Sequence, residues 1–470
     1  MEAGTTRIRA ARRVSPSIPL ERVAQVAAAT ALLTILAGSA LIVVLASQGH
    51  SFLSPAAHHR RLAWMNWPFG GLWSDWPHTR DQIYSILLLT ILVTTVCYVV
   101  AIRFARSLPG KVVAGVVIAV YLVFFLSPPL LLTDVFNYVE YARMGVLHGL
   151  NPYTHIPLDA RADPVWKLSN WHHLPSPYGP LFTLITYPLA PLGIAGAFWA
   201  YKALLLLVSL GCAGLVALIA RQLQRPAATA VVIVALNPLV LIYGAGGQHM
   251  DMFNMLFVLG AIYLALANRE RLGSAAMIGA AAAKASAAVL APVAIAAGPR
   301  RIRSLAGAAA GLGVAGFVCL MAFGPHPPAI ADQSRLVTAL SIPNITGLLL
   351  GHGGEDVAVR TATHVLLAVA VVACTVWAWR SRRLIEPLGW LTLVTLATLG
   401  WDMPWYLLWL LPFVAFVRSR TFRVASVLVA VWMTFQWLPY SYTVVARIGL
   451  HPGVTHTWKT NRLYVRTLLK

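Results

Sequence analysis

Residues 133–180 read TDVFNYVEYARMGVLHGLNPYTHIPLDARADPVWKLSNWHHLPSPYGP, and the rest of the chain is organised around them. The stretch begins where an apolar run, 112–132, stops. It gathers Asp134, Glu140, Asp159, Asp163, Arg143, Arg161 and the adjacent His172 and His173 in a chain with few charges elsewhere. Thr133 is of a type that caps helices, so the pattern predicts a short helix with Asp134 in its first turn, where the macrodipole favours an ionised carboxylate. Tyr138 and Tyr141 share one face at helical spacing, and Gly145, Gly149 and Asn151-Pro152 are expected to end the helix. An acidic side chain at the mouth of an apolar helix, next to aromatic and basic groups, fits chemistry on a polar substrate. The other reading of the same features is an ordinary solvated loop.

Composition fixes the class around this stretch. Of 470 residues, 59% are hydrophobic and 11% charged, against roughly 25% charged in soluble domains. The chain is therefore an all-α polytopic membrane protein. A net charge of +21 would otherwise suggest nucleic acid, but Lys and Arg fall in short clusters between apolar runs, the pattern that orients membrane helices. Nucleic-acid binding is rejected on that ground. Cys97, Cys212, Cys319 and Cys374 each lie inside an apolar run and read as small core residues, not as disulfides or zinc ligands.

In chain order, 1–22 form a basic cytoplasmic arm with Arg7, Arg9, Arg12, Arg13 and Arg22, and 23–47 form an uncleaved first span. Residues 48–82 lie outside, 83–105 return to a basic turn at Arg103, Arg106 and Lys111, and 112–132 exit again, which puts Asp134 at the outer face. The run 179–192 is interrupted by Pro188 and Pro191 and is short for a span, so it reads as interfacial, with 196–220 as the crossing. Spans at 227–243 and 252–268 enclose an outer loop, GAGGQHMDMFN. Basic clusters flank 272–297 at both ends, which suggests a broken re-entrant hairpin with Lys284 near its tip. Spans at 304–324, 360–379, 387–400, 404–417 and 423–440 complete the set around a long outer loop, 325–358. Counting puts the tail, 441–470, outside, whereas its Arg447, Lys459, Arg462, Arg466 and Lys470 argue for inside. The expectation is one membrane domain, 23–440, of about 11–13 transmembrane helices, with 133–180 as its catalytic loop.

Several functions are excluded by what is missing. There is no GxxxxGK[ST] loop, no GxGxxG after a strand, no HExxH and no CxxC, so no nucleotide cradle or familiar metal site is written in the chain. With the acidic groups on the outer face, a transferase would need a donor already anchored in the membrane.

The motifs DVFNY with GLNPY downstream, SPYGPLF, GGQHMD opening a span, AAAKASAAVLAP and the late MPWYLLWLLPF occur in this order over about residues 20–440. Together they resemble bacterial polyprenyl-phosphate-mannose-dependent α-(1→6)-mannosyltransferases, integral-membrane glycosyltransferases of the GT-C fold. The resemblance implies an aspartate in the first large extracytoplasmic loop acting as general base, the position of Asp134. Two positions depart from it: Asn137 stands where Ser is expected in DVxSY, and Met250 where Asn is expected in an HND motif. These bear on the acceptor or donor more than on the class.

The chemistry agrees. A lipid-phosphate-linked hexose carries a good leaving group, so a single displacement needs one base for the acceptor hydroxyl and cations for the departing phosphate. A glycosidase needs a second carboxyl as acid, and here that pressure is absent. Asp134 is the expected base. Arg143, His172, His173, His249 and Lys284 are candidates for phosphate contact, although Arg143 could instead pair with Glu140 and the two adjacent histidines could be plain loop residues. Asp251 is a functional candidate by its depth or else a helix cap. Lys284 contacts substrate or snorkels. Trp401, Trp405, Tyr406 and Trp409 form an interfacial belt or a sugar-stacking surface, with Trp405 the favoured contact, and Tyr138 and Tyr178 complete the substrate-binding set. No cofactor and no metal are expected. The partners are a polyprenyl-phosphate-sugar donor, a glycan or lipoglycan acceptor and the bilayer. The rival readings are another lipid-linked sugar on the same fold, arabinofuranose or glucose, and a lipid-linked-sugar transporter or flippase, which should show paired halves.

Overall fold

A computed structural model of the chain describes residues 20–48, 51–54, 62–73 and 79–469; the expected arm residues Arg7, Arg9, Arg12 and Arg13 lie outside them. Among the described residues every regular element is helical. In hydrocarbon each backbone N–H and C=O must be paired within its own segment, which leaves the helix as the way for so apolar a chain to cross.

Five helical stretches are long and apolar enough to span: Leu20–Ala46 (α1), Arg80–Ser107 (α2 with its terminal turn), Pro180–Gln222, Arg301–Phe323 and Val357–Ser381. Two bent pairs, Ala227–Ala235 with Val240–Gly246 (66°) and Arg420–Gln436 with Ser441–Arg447 (100°), bring the number to seven if each is one span. The remaining expected spans correspond to shorter apolar helices, among them Gly110–Phe125 (α3) and Asp251–Leu266. The long helices turn bare side chains to the lipid: Leu312, Val314 and Phe317, and Val365, Val369 and Val372, are all exposed.

Four features position the polar groups. First, α4 (Asp134–Leu147) begins at the expected residue, but the Thr133 side chain makes no capping bond and the turn is closed by backbone, Phe136 N–H to Thr133 O at 2.9 Å. Gly145 does not end this helix. It lies inside it, where a Cβ would meet the Tyr187 hydroxyl at 2.3 Å, and the chain turns out at Gly149, whose φ of +65° only glycine adopts without strain.

Second, the stretch Pro180–Gln222 is a short helix, α5 (Pro180–Thr186), a tight turn through the two prolines and then α6 (Gly193–Gln222). Third, Asn237-Pro238 breaks the helix Ala227–Ala235 (α7), and a π-helical turn, Val240–Gly246, carries the chain to His249 and into α8 (Asp251–Leu266). Such turns often accompany functional sites. The Gly246 carbonyl accepts the Leu130 N–H at 3.0 Å, which ties this turn to the segment between α3 and Asp134.

Fourth, α9 (Glu270–Ala283) and α10 (Ala291–Ala297) form a hairpin broken at Lys284, which takes extended backbone with φ −149° and ψ 120°. The two far ends lie together, Glu270 facing Arg300 at 4.0 Å. Helix α9 packs against α8 and against α11 (Arg301–Phe323).

The tail docks on the acidic loop. In its helix, His456–Leu469, the Leu468 carbonyl accepts the His173 N–H at 2.9 Å, and Leu468 packs with Leu174 and Leu336. Asn461 exchanges two hydrogen bonds with the Val337 backbone, at 2.8 and 2.9 Å. The tail therefore lies on the same face as loop 133–180.

Candidate active site

Four separate segments bring their polar side chains together: the start of α4, the turn before α8, the break at Lys284, and the turn at Pro404–Tyr406 that leads into the helix Leu407–Phe416. Asp134 opens α4 in its first turn, after Thr133, whose side chain makes no capping bond. Its Oδ2 lies 3.3 Å from Nδ1 of His249, and Oδ1 receives a long bond, 3.5 Å, from the Asn137 amide. Asp134 keeps 16% of its side chain accessible, whereas His249 keeps 2%. The carboxylate is thus the member of the pair open to a ligand.

The His249 ring stacks on the Trp405 indole, centroids 3.4 Å apart and planes 11° from parallel, and its Nε2 has no protein partner. Two residues on, Asp251 is clamped. It accepts from Lys284 Nζ at 2.8 and 3.0 Å and from Trp409 Nε1 at 2.7 Å. Lys284 also lies over the rings of Tyr406 and Trp409, at 4.4 and 5.0 Å, so a cation is held at the hairpin tip by one carboxylate and two aromatic faces. A carboxylate near the bilayer with a lysine and an indole N–H is paired, as its burial requires.

Aromatic packing builds the wall. Tyr138 meets Tyr178 edge-on at 4.8 Å and Phe182 at 5.0 Å, and its hydroxyl accepts the Met250 N–H at 3.4 Å. Burial pushes the phenols of Tyr138 and Tyr178 well above their ordinary range, so both stay neutral. The Gly179 N–H donates to the Ala283 carbonyl at 3.1 Å, and a Cβ on Gly179 would meet the Ala282 carbonyl oxygen at 2.2 Å. The loop after Tyr178 therefore sits directly on the backbone that presents Lys284.

Two of the singled-out side chains are engaged elsewhere. Arg143 turns from Glu140 to Asp163, with Nε 3.0 Å from both carboxylate oxygens, and His148 Nε2 joins the same carboxylate at 2.8 Å. Burial opposes ionisation of Asp163, but these bonds and the Val165 N–H outweigh it and hold the carboxyl below its usual range. His172 stacks on Trp166 at 3.5 Å, and His173 is held through its backbone. Glu140, left without Arg143, is buried with neither oxygen hydrogen-bonded, and burial pushes its carboxyl up to about 8.

Asn137, where Ser was expected, ties α4 to the loop. It donates to Asn170 Oδ1 at 2.7 Å and accepts the Asn170 and Trp171 N–H groups at 3.0 and 3.4 Å. Asn170 escaped sequence reasoning, and so did the roles of Asp163 as the partner of Arg143 and of the Trp409 indole N–H as a donor to Asp251. Trp409 is 158 residues from Asp251, and no local pattern reports a contact at that separation. Among the described residues no group of three or more His, Cys, Asp or Glu side chains is placed to hold a metal ion.

Residues 33–299 match the family described as Alpha-(1->6)-mannopyranosyltransferase, N-terminal domain. They include Asp134, His249, Asp251 and Lys284 but stop short of Trp405. The chain is also similar to Alpha-(1->6)-mannopyranosyltransferase A of Mycobacterium tuberculosis (strain ATCC 25618 / H37Rv), 27% identical over 347 residues, which are 65% of this chain and 66% of that protein. The chain thus spans just under two thirds of that relative's length. No solved structure matches it significantly.

Proposed function

The chain belongs to the α-(1→6)-mannopyranosyltransferase family, and from that premise we propose that it moves mannose from a polyprenyl-phosphate donor to a glycan or lipoglycan acceptor on the outer face of the membrane. Asp134 is the general base. It takes the proton of the acceptor hydroxyl while that oxygen attacks the sugar C1, and the C1–O bond to phosphate breaks with its electron pair leaving on the polyprenyl phosphate. One displacement inverts C1, so an α product calls for a β-linked donor.

The observation that carries this reading is the meeting of Asp134 and His249, 115 residues apart in sequence, at 3.3 Å beside the Asp251–Lys284 pair. Lys284, 19% accessible, supplies positive charge for the departing phosphate, while His249, 2% exposed and fixed by Trp405, orients the Asp134 carboxylate instead of meeting the phosphate. Tyr138 and Tyr178 shape the wall of the site. Arg143, committed to Asp163, and His172, committed to Trp166, hold the loop in place instead of meeting the donor.

The test is transfer by membranes given radiolabelled polyprenyl-phosphate-mannose and a short mannoside acceptor, resolved by thin-layer chromatography, with the arabinofuranose and glucose donors run in parallel. A labelled, extended mannoside from the mannose donor alone supports the proposal. Product from another donor instead would reassign the sugar.

A further inference from the structure

At the end of α9 away from Lys284 lies a cavity of about 360 Å³, enclosed by α8, the two ends of the α9–α10 hairpin and the turn at 382–386. Helix α9 has 14 residues, so its far end is about 20 Å from the hairpin tip at ~1.5 Å per residue. The cavity is therefore separate from the site around Asp134. Its volume falls within the range of roughly 300–1,000 Å³ usual for small-ligand pockets.

The lining is divided. Inside stands Glu270, 4% exposed, with Oε1 unpartnered and Oε2 no nearer than 4.0 Å to Arg300. The buried Ser274 and Ser304 line the same space, and Ile262, Leu266 and Met277 give it an apolar side. At the mouth stand Arg382 and Arg383, both exposed, with Glu386. Arg382 is in the left-handed region, φ +58°, and its Nη1 donates to the Gly298 and Pro299 carbonyls at 2.9 and 3.0 Å, which pins the end of the hairpin against the rim. A carboxylate this deep, with Arg300 at the 4.0 Å limit of an ion pair and Oε1 without a partner, is undersatisfied unless a ligand supplies a donor.

We propose that this cavity binds the headgroup of an ethanolamine phospholipid, its ammonium on Glu270 between Ser274 and Ser304 and its phosphate at Arg383. A primary ammonium offers three N–H donors, which suit one carboxylate and two hydroxyls. A guanidinium at the rim of the same cavity suits the phosphate. The apolar side takes the start of an acyl chain. A trimethylated headgroup carries the same charge without a donor, and a glycerol headgroup has no cation.

The test is lipid retention by the full chain, released from vesicles of equimolar phosphatidylethanolamine, phosphatidylcholine and phosphatidylglycerol and measured by native mass spectrometry. Retention is read without any transfer reaction, so its outcome is independent of the proposed donor chemistry. Selective retention of phosphatidylethanolamine is expected, reduced about tenfold by Glu270→Gln, as befits loss of one charge-assisted contact. Arg383→Gln, on the exposed rim, should weaken retention of both phosphatidylethanolamine and phosphatidylglycerol, and it serves if the buried substitution does not fold. Equal retention of the choline lipid, or retention unchanged by both substitutions, would overturn the proposal. Displacement by free phosphoethanolamine as effective as by the lipid would overturn the lipid assignment and leave a soluble phosphoamine as the ligand.

Discussion

Substituting Lys284→Met removes the cation from the hairpin tip while keeping most of the apolar stem. Asp251, whose side chain is 3% exposed, then loses a partner at 2.8 Å and keeps the Trp409 indole N–H at 2.7 Å. Breaking a buried ion pair by deleting one member costs about 3–5 kcal/mol. Lys284 itself is 19% accessible, and one hydrogen bond to Asp251 survives, so the lower end applies, about 3 kcal/mol including the contacts with Tyr406 and Trp409. Adding Asp251→Asn removes the stranded charge. The double variant should therefore recover about 2 kcal/mol, a coupling far larger than that of independent sites. The assay is denaturant unfolding of wild type, both single variants and the double variant in mixed micelles, followed by tryptophan fluorescence. Single-variant costs under about 0.5 kcal/mol, or costs that add in the double variant, would refute the buried pair.

Three further outcomes follow from particular contacts. Glu140 has a folded-state pKa raised from 4.5 to about 8 by burial, so the folded chain holds this proton more tightly than the unfolded one. Its contribution to stability is complete below 4.5 and is lost as pH rises through about 8. Glu140→Gln should flatten that decline in a melting-temperature series, and an unchanged slope would remove Glu140 from it. Gly179→Ala has to displace the backbone at Ala282 and Ala283 and should cost about 1–3 kcal/mol, the scale of overpacking, with a matching loss of melting temperature. If loop 133–180 faces outward, Ala162→Cys, at an exposed position, should react with an impermeant maleimide on intact cells, and Ser381→Cys should not; the reverse pattern would turn the protein over.

The membrane class, the helix starting at Asp134 and the break at Lys284 were legible in sequence because each has a local signature: apolar runs, a polar onset after such a run, and a lone lysine in an alanine-rich hairpin flanked by basic clusters. The convergence of Asp134 on His249 and of Asp251 on Lys284 was approached only by placing their loops on one face, since no spacing rule reports contacts between distant segments. Arg143 shows the limit most clearly. Helical spacing offered Glu140 three residues away, but the folded loop brings Asp163 from 20 residues on, with both carboxylate oxygens 3.0 Å from Arg143 Nε. The cap expected from Thr133 failed for a related reason, because the turn there is closed by backbone.

Asp134 as general base is the central claim, and the measurement nearest to it is single-turnover transfer by Asp134→Asn against wild type at saturating polyprenyl-phosphate-mannose, with donor binding measured on the same preparations. The amide keeps the shape and cannot take the proton. The account expects donor binding within a few-fold of wild type and a transfer rate lower by about 10²–10⁴, the usual contribution of a positioned base. Transfer near the wild-type rate with the donor bound would contradict it.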